Sequence, residues 1–100
     1  MIRHVFMWQL ADPNDADRVL ELLARLSERL PSLRSWELGS HAGEPNENGD
    51  PWDGCLISDF DDWDGLREYS EDPFHMEVVN ELLPLVRSRA VVDFVREGDA

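Results

Sequence analysis

Ile2 to Leu10 reads IRHVFMWQL, and its alternation decides the fold. Successive side chains of an extended chain point to opposite sides, so Ile2, His4, Phe6, Trp8 and Leu10 share one face while Arg3, Val5, Met7 and Gln9 share the other. Both faces carry apolar groups. The stretch has the apolar length of a signal-peptide core. Its alternation, the acidic residues after it and the lack of a small-residue cleavage site make it a strand instead. The expected location is the cytoplasm.

Working outward, Asp12-Pro13 joins a capping carboxylate to a proline at the first helical position, and Asp15 and Asp17 favour the positive end of the helix dipole. Val19, Leu22, Leu23, Leu26 and Leu30 then recur at helical spacing, opposite Arg18, Glu21, Arg25 and Glu28, until Pro31 stops the run. Leu33 to Leu38 predicts a second strand, residues 39–54 an exposed loop rich in Gly, Pro, Asn and Asp, and Cys55 to Phe60 a third strand. Asp61 and Asp62 cap a short helix through Trp63, Leu66 and Tyr69. Asp72-Pro73 repeats the signal for a further helix bearing Phe74, Met76, Val79, Leu82 and Leu83, which Pro84 ends or bends. Ala90 to Val95 predicts a fourth strand, and residues 96–100 a frayed tail.

This order, strand-helix-strand-strand-helix-strand, implies one α+β domain over residues 1–100, an antiparallel sheet with its helices on one side. Strands one, three and four are apolar on both faces, and helices on one side cover only one of them. Leaving the rest in water forgoes about 1.5–3 kcal/mol per large side chain. A second copy of the chain is the simplest cover, with Val5 and Met7 at the interface.

The bulk composition narrows function by exclusion. With 100 residues, 42% apolar and 31% charged, the chain is globular, and no apolar run approaches the ~20 residues of a membrane helix. A net charge of −13, with all nine basic residues arginine, excludes nucleic acid and anionic membranes as main partners. Cys55 is the one cysteine, so no internal disulfide forms; it reads as core. There is no phosphate-binding glycine loop, nucleophile elbow or metal-spaced His/Cys pair, so no metal or cofactor is expected.

The remaining chemistry lies in titratable groups in apolar settings. His4 shares a face with Phe6 and Trp8, and Tyr69 and His75 flank the junction of two helices, where a phenol and an imidazole can share one space. Histidine suits acid/base work near neutrality. The plainer alternative is that each is a packing residue with a satisfied hydrogen bond. Asp93 reads as a structural acceptor. The cluster Asp59, Asp61, Asp62 and Asp64 reads as helix capping and solvation, since it lacks the spacing of a calcium loop. Trp52 reads as a loop anchor and His41 as solvated.

The opening strand IRHVFMW, the tract Tyr69-Ser-Glu-Asp-Pro-Phe-His75 and the closing Arg89-Ala-Val-Val-Asp-Phe94 together resemble the stress-responsive dimeric α/β-barrel (Dabb) family, from Ile2 to Val95. The resemblance implies a ferredoxin-like fold whose two sheets pack face to face in a homodimer. One plant relative, an olivetolic acid cyclase, closes a linear polyketide by an aldol condensation. By position, the resemblance implies His75 as the base removing a proton alpha to a carbonyl, Tyr69 as its holder or oxyanion donor, and His4 as a hydrogen-bonding partner of the substrate. Phe6, Trp8 and Phe74 are the candidate apolar lining for a small hydrophobic ligand. Three functions follow as alternatives: cofactor-independent cyclase-type catalysis, a non-catalytic binding or stress-response dimer, and cofactor-free monooxygenation. The acidic loop from His41 to Asp53 is longer than the family pattern and bears on the mouth of the cavity.

Overall fold

The computed structural model describes residues 1–97. Strand β1 spans Ile2–Leu10; a 3-10 turn at Pro13–Asp15 leads into helix α1, Ala16–Arg29. Strands β2 (Leu33–Ser40) and β3 (Gly54–Phe60) precede helices α2 (Trp63–Glu71) and α3 (Pro73–Leu82). A second 3-10 turn, Leu83–Leu85, then opens into β4, Val86–Val95. The sheet is antiparallel throughout, in the order β2-β3-β1-β4. Among the described residues no helix is long and apolar enough to cross a membrane.

The capping signals act as their chemistry dictates. Asp12 accepts from the Asn14 amide at 2.9 Å, Asp62 from that of Gly65 at 2.9 Å, and Asp72 from that of Phe74 at 2.8 Å. Each satisfies an amide that the first helical turn leaves unpaired. Asp72 ends α2 and starts α3 at once, its own amide reaching back to the Tyr69 carbonyl at 3.4 Å. The leucine stripe of α1 is buried as expected, with Val19, Leu22, Leu23, Leu26 and Leu30 packed on Trp8, Leu56 and Phe60.

Several boundaries differ from the expectation. Gly39 and Ser40 belong to β2 and Gly54 to β3, so the loop is residues 41–53. Gly54 lies against the buried Trp8 indole: a β-carbon there would sit 2.1 Å from the ring, so composition alone misreads a close-packing glycine as a loop residue. The loop is pinned at its base, where Asp53 accepts from the Leu10 amide at 2.6 Å and donates its own amide to the Trp8 carbonyl at 2.8 Å. The fourth strand begins at Val86 and not at Ala90. Its first half is rich in arginine and serine, a composition that suits an edge strand and hides it from a hydrophobicity pattern. Arg96 is no part of a frayed tail: its amide donates to the Met1 carbonyl at 3.0 Å and its guanidinium to Asp59 at 3.2 Å. Residues 98–100 lie outside the described residues.

Register assigns the faces, since directly paired residues share one. His4 pairs with Ser58 and Asp93, Phe6 with Leu56 and Val91, and Trp8 with Gly54 and Arg89, all toward the helices. Val5 pairs with Ile57 and Val92, Met7 with Cys55 and Ala90, and Arg3 with Asp59 and Phe94, on the side without helices. There Val92 is 58% and Phe94 44% exposed. The helices stop short of β4, so Val91 and Val95 are exposed even on the helix side. The uncovered apolar surface is thus one open face plus one edge strand.

Candidate functional site

The α2–α3 junction and the start of β1 converge on a cavity of about 60 Å³ between helices and sheet, lined by His4, Phe6, Tyr69, His75 and Arg89 among aliphatic residues. Tyr69 is held in the last turn of α2, its ring edge-on to Phe60 with centroids 5.1 Å apart. His75 follows in the first turn of α3, where its imidazole lies 4.8 Å from the Tyr69 ring. The His4 ring is 6.3 Å from Tyr69. The structure therefore brings the three candidate catalytic residues together around the phenol.

Their electrostatics differ. His75 is half-buried, and desolvation, seconded by the charge of nearby His4, moves its pKa down from 6.5. Its Nδ1 is buried and has no hydrogen-bond partner among the described residues. An imidazole kept neutral with a free ring nitrogen is a base. Burial pushes the Tyr69 phenol up, so it stays protonated. Its hydroxyl makes no hydrogen bond among the described residues and remains available to donate.

His4 has a partner that the sequence does not reveal. Its Nδ1 forms a hydrogen bond with Asp93 on the adjacent strand, the pair falling opposite each other in the β1–β4 register. An ionised carboxylate only accepts, so the Nδ1 proton is held on that side and Nε2 is the nitrogen left for other contacts. The acceptor role expected for Asp93 thus falls at the site itself. Arg89, two same-face steps back along β4, was not among the candidates. It lines both the cavity and an adjoining groove of about 330 Å³ formed with Phe6, Ala90 and Val91.

Of the candidate lining residues, Phe6 is placed at the cavity. Trp8 and Phe74 do not line it: Trp8 is a core residue packed on Gly54, and the Phe74 ring lies under the Arg29 guanidinium at 3.9 Å. The acidic cluster is dispersed. Asp59 accepts from Arg3, Ser35 and Arg96, Asp61 pairs with Arg34, Asp62 caps α2 and Asp64 pairs with Arg67. Asp59 is nearly buried although it lies on the open face, and Arg3's hydrogen bonds hold its carboxyl below the usual range. Val5 and Met7 are half-buried on that same face. Trp52 and His41 border a separate hollow of about 400 Å³ beside Met7 and Cys55.

A βαββαβ chain whose antiparallel sheet carries its helices on one side is a ferredoxin-like α+β protein. More narrowly, the chain belongs to the Dabb family, the stress responsive A/B barrel domain, which it matches over residues 2–96. A dimeric ferredoxin-like protein of unknown function from Thermobifida fusca is 26% identical, the match covering 95% of this chain and 90% of that one with a TM-score of 0.81. A Dabb family protein with a ferredoxin-like fold from Mesorhizobium loti is 18% identical, with 97% of each chain covered and a TM-score of 0.80. A hydroxynitrile lyase from Passiflora edulis shares the fold at 17% identity, with 99% of this chain and 96% of that one covered and a TM-score of 0.79. No curated protein matches the chain.

Proposed function

We propose that this chain acts as a homodimer that catalyses proton abstraction next to the carbonyl of a small hydrophobic compound, without a cofactor, in the manner of a cyclase or lyase. One observation carries this: a neutral His75 with an unpaired ring nitrogen stands 4.8 Å from the ring of an unpaired, protonated Tyr69 beside a shared cavity. In the proposed step His75 takes the proton from the carbon alpha to the carbonyl, and the electron pair moves onto the oxygen. Tyr69 donates a hydrogen bond to the oxyanion that forms. The enolate carbon attacks a second carbonyl of the same molecule, and the new alkoxide recovers the proton from His75. His4, oriented by Asp93, hydrogen-bonds the substrate through Nε2.

Support for the homodimer comes from exposed Val92 and Phe94 on the uncovered face and from the dimeric Thermobifida relative. Deuterium uptake from heavy water into 2-heptanone tests the chemistry. The full chain is expected to accelerate exchange alpha to the carbonyl, His75→Ala to abolish that acceleration, and Tyr69→Phe to cut it by about 10²–10³-fold, the usual effect of losing an oxyanion donor. Exchange at the buffer rate with every ketone tried would overturn the assignment.

A second reading is a binding protein without turnover. The adjoining groove of about 330 Å³ favours it, since that falls in the ~300–1,000 Å³ range of pockets that hold a metabolite, whereas Tyr69 and His75 line only the 60 Å³ cavity. Saturable binding of 2-heptanone with no exchange would select it.

A further inference from the structure

The arginines of this chain are mostly engaged. Arg3 and Arg96 hold Asp59, Arg18 pairs with Glu21, Arg34 with Asp61 and Arg67 with Asp64, while Arg29 covers Phe74. The Arg89 side chain makes no hydrogen bond or ion pair among the described residues, although the chain carries 22 acidic residues. Arg25 and Arg87 share that condition, but neither lines the cavity or its groove. Arg89 lines both, as does Phe6. An exposed cation in a pocket otherwise lined by aliphatic, aromatic and imidazole side chains suits an anionic group of a ligand.

We propose that Arg89 anchors a carboxylate of the ligand, so that the pocket takes an apolar acid whose reactive carbonyl lies several bonds from its anionic end. This rests on the acid/base reading of the same pocket. The guanidinium fork matches a carboxylate with two parallel hydrogen bonds, and a single arginine on a protein of net charge −13 suits a monoanion better than a phosphate dianion. Position sets the length of the ligand. Arg89 and Asp93 are four residues apart on one face of β4, a separation of about 13 Å along the strand. Part of that distance is spanned by the Arg89 side chain, and the rest by the ligand between its carboxylate and the carbonyl at His4, Tyr69 and His75.

A pair of isosteric probes, 6-oxoheptanoate and 6-oxoheptanamide, separates charge from shape. Calorimetry on the full chain is expected to show the acid bound about tenfold more tightly than the amide, one charge-assisted contact at a part-exposed site, with the preference shrinking as salt is added. Arg89→Gln is expected to erase the preference and Arg89→Lys to restore part of it, whereas His75→Ala stops alpha-carbon exchange and keeps it. Equal binding of the two probes, or a preference that survives Arg89→Gln, overturns the anchor and leaves the acid/base pocket standing. Absence of binding and of exchange with both probes overturns the two readings together.

Discussion

The two faces of one sheet have opposite fates. Toward the helices, Trp8, Leu56 and Phe60 are at most 2% exposed, covered by α1 and its neighbours from within the same chain. On the other side Val92 and Phe94 stand open to solvent, on a face that also carries the ion cluster around Asp59. The strands are apolar on both sides, so the hydrophobic effect drives both toward cover, and the difference lies in what the chain has available to supply it. Its helices all return to one side. The cover of the first face is therefore a property of the protomer, and that of the second belongs to the proposed dimer.

That contrast yields measurements of decreasing size. Phe60→Ala removes a fully buried ring and is expected to cost about 3–5 kcal/mol in urea unfolding at any protein concentration. A similarly small effect from Phe60→Ala and Val92→Ala would erase the distinction between the faces. Val92→Arg, on the open side, is expected to leave the circular dichroism spectrum unchanged and to shift sedimentation from dimer to protomer. Finding protomers for the unaltered chain at micromolar concentration would remove the assembly from the argument. Asp59→Asn is expected to cost about 1–2 kcal/mol, because charge-assisted hydrogen bonds are lost but their arginine partners are a third exposed and partly rehydrate.

The smallest expected effect is on pH dependence, and it belongs to the helix side. Folding lowers the pKa of His75 below 6.5. As pH falls beneath 6.5 the unfolded chain takes up a proton that the folded chain refuses, so stability declines across the window down to the folded value and then levels off. His75→Phe is expected to lose this decline in thermal melts from pH 7 to 5. The same shift leaves the base unprotonated, so the acid limb of any exchange activity is expected below 6.5.

Much of the fold is legible in the chain. The two-residue period of Ile2–Leu10 and Cys55–Phe60, the leucine stripe of α1 and the repeated aspartate-proline caps are local signals, and each produced its element. The misreadings are equally local in origin. Gly54 looks like a loop residue until Trp8 lies on it, and Arg87-Ser88-Arg89 looks unlike a strand because an edge strand needs no apolar alternation. At the site, the proximity of Tyr69 to His75 is readable because both flank Asp72-Pro73. Trp8 and Phe74 were expected to line the cavity for the same reason of neighbourhood, and packing directs them elsewhere.

By itself the sequence determined the elements, their order, the two-sided strands and the pairing of a phenol with an imidazole at one helix junction, since all of these depend on residues a few positions apart. Only the tertiary structure decided that His4 meets Asp93, 89 residues away, and that Arg89 lines the same cavity. Strand order and register are fixed by the summed packing of the whole sheet, and a shift of one residue would turn Asp93 and Arg89 to the opposite face.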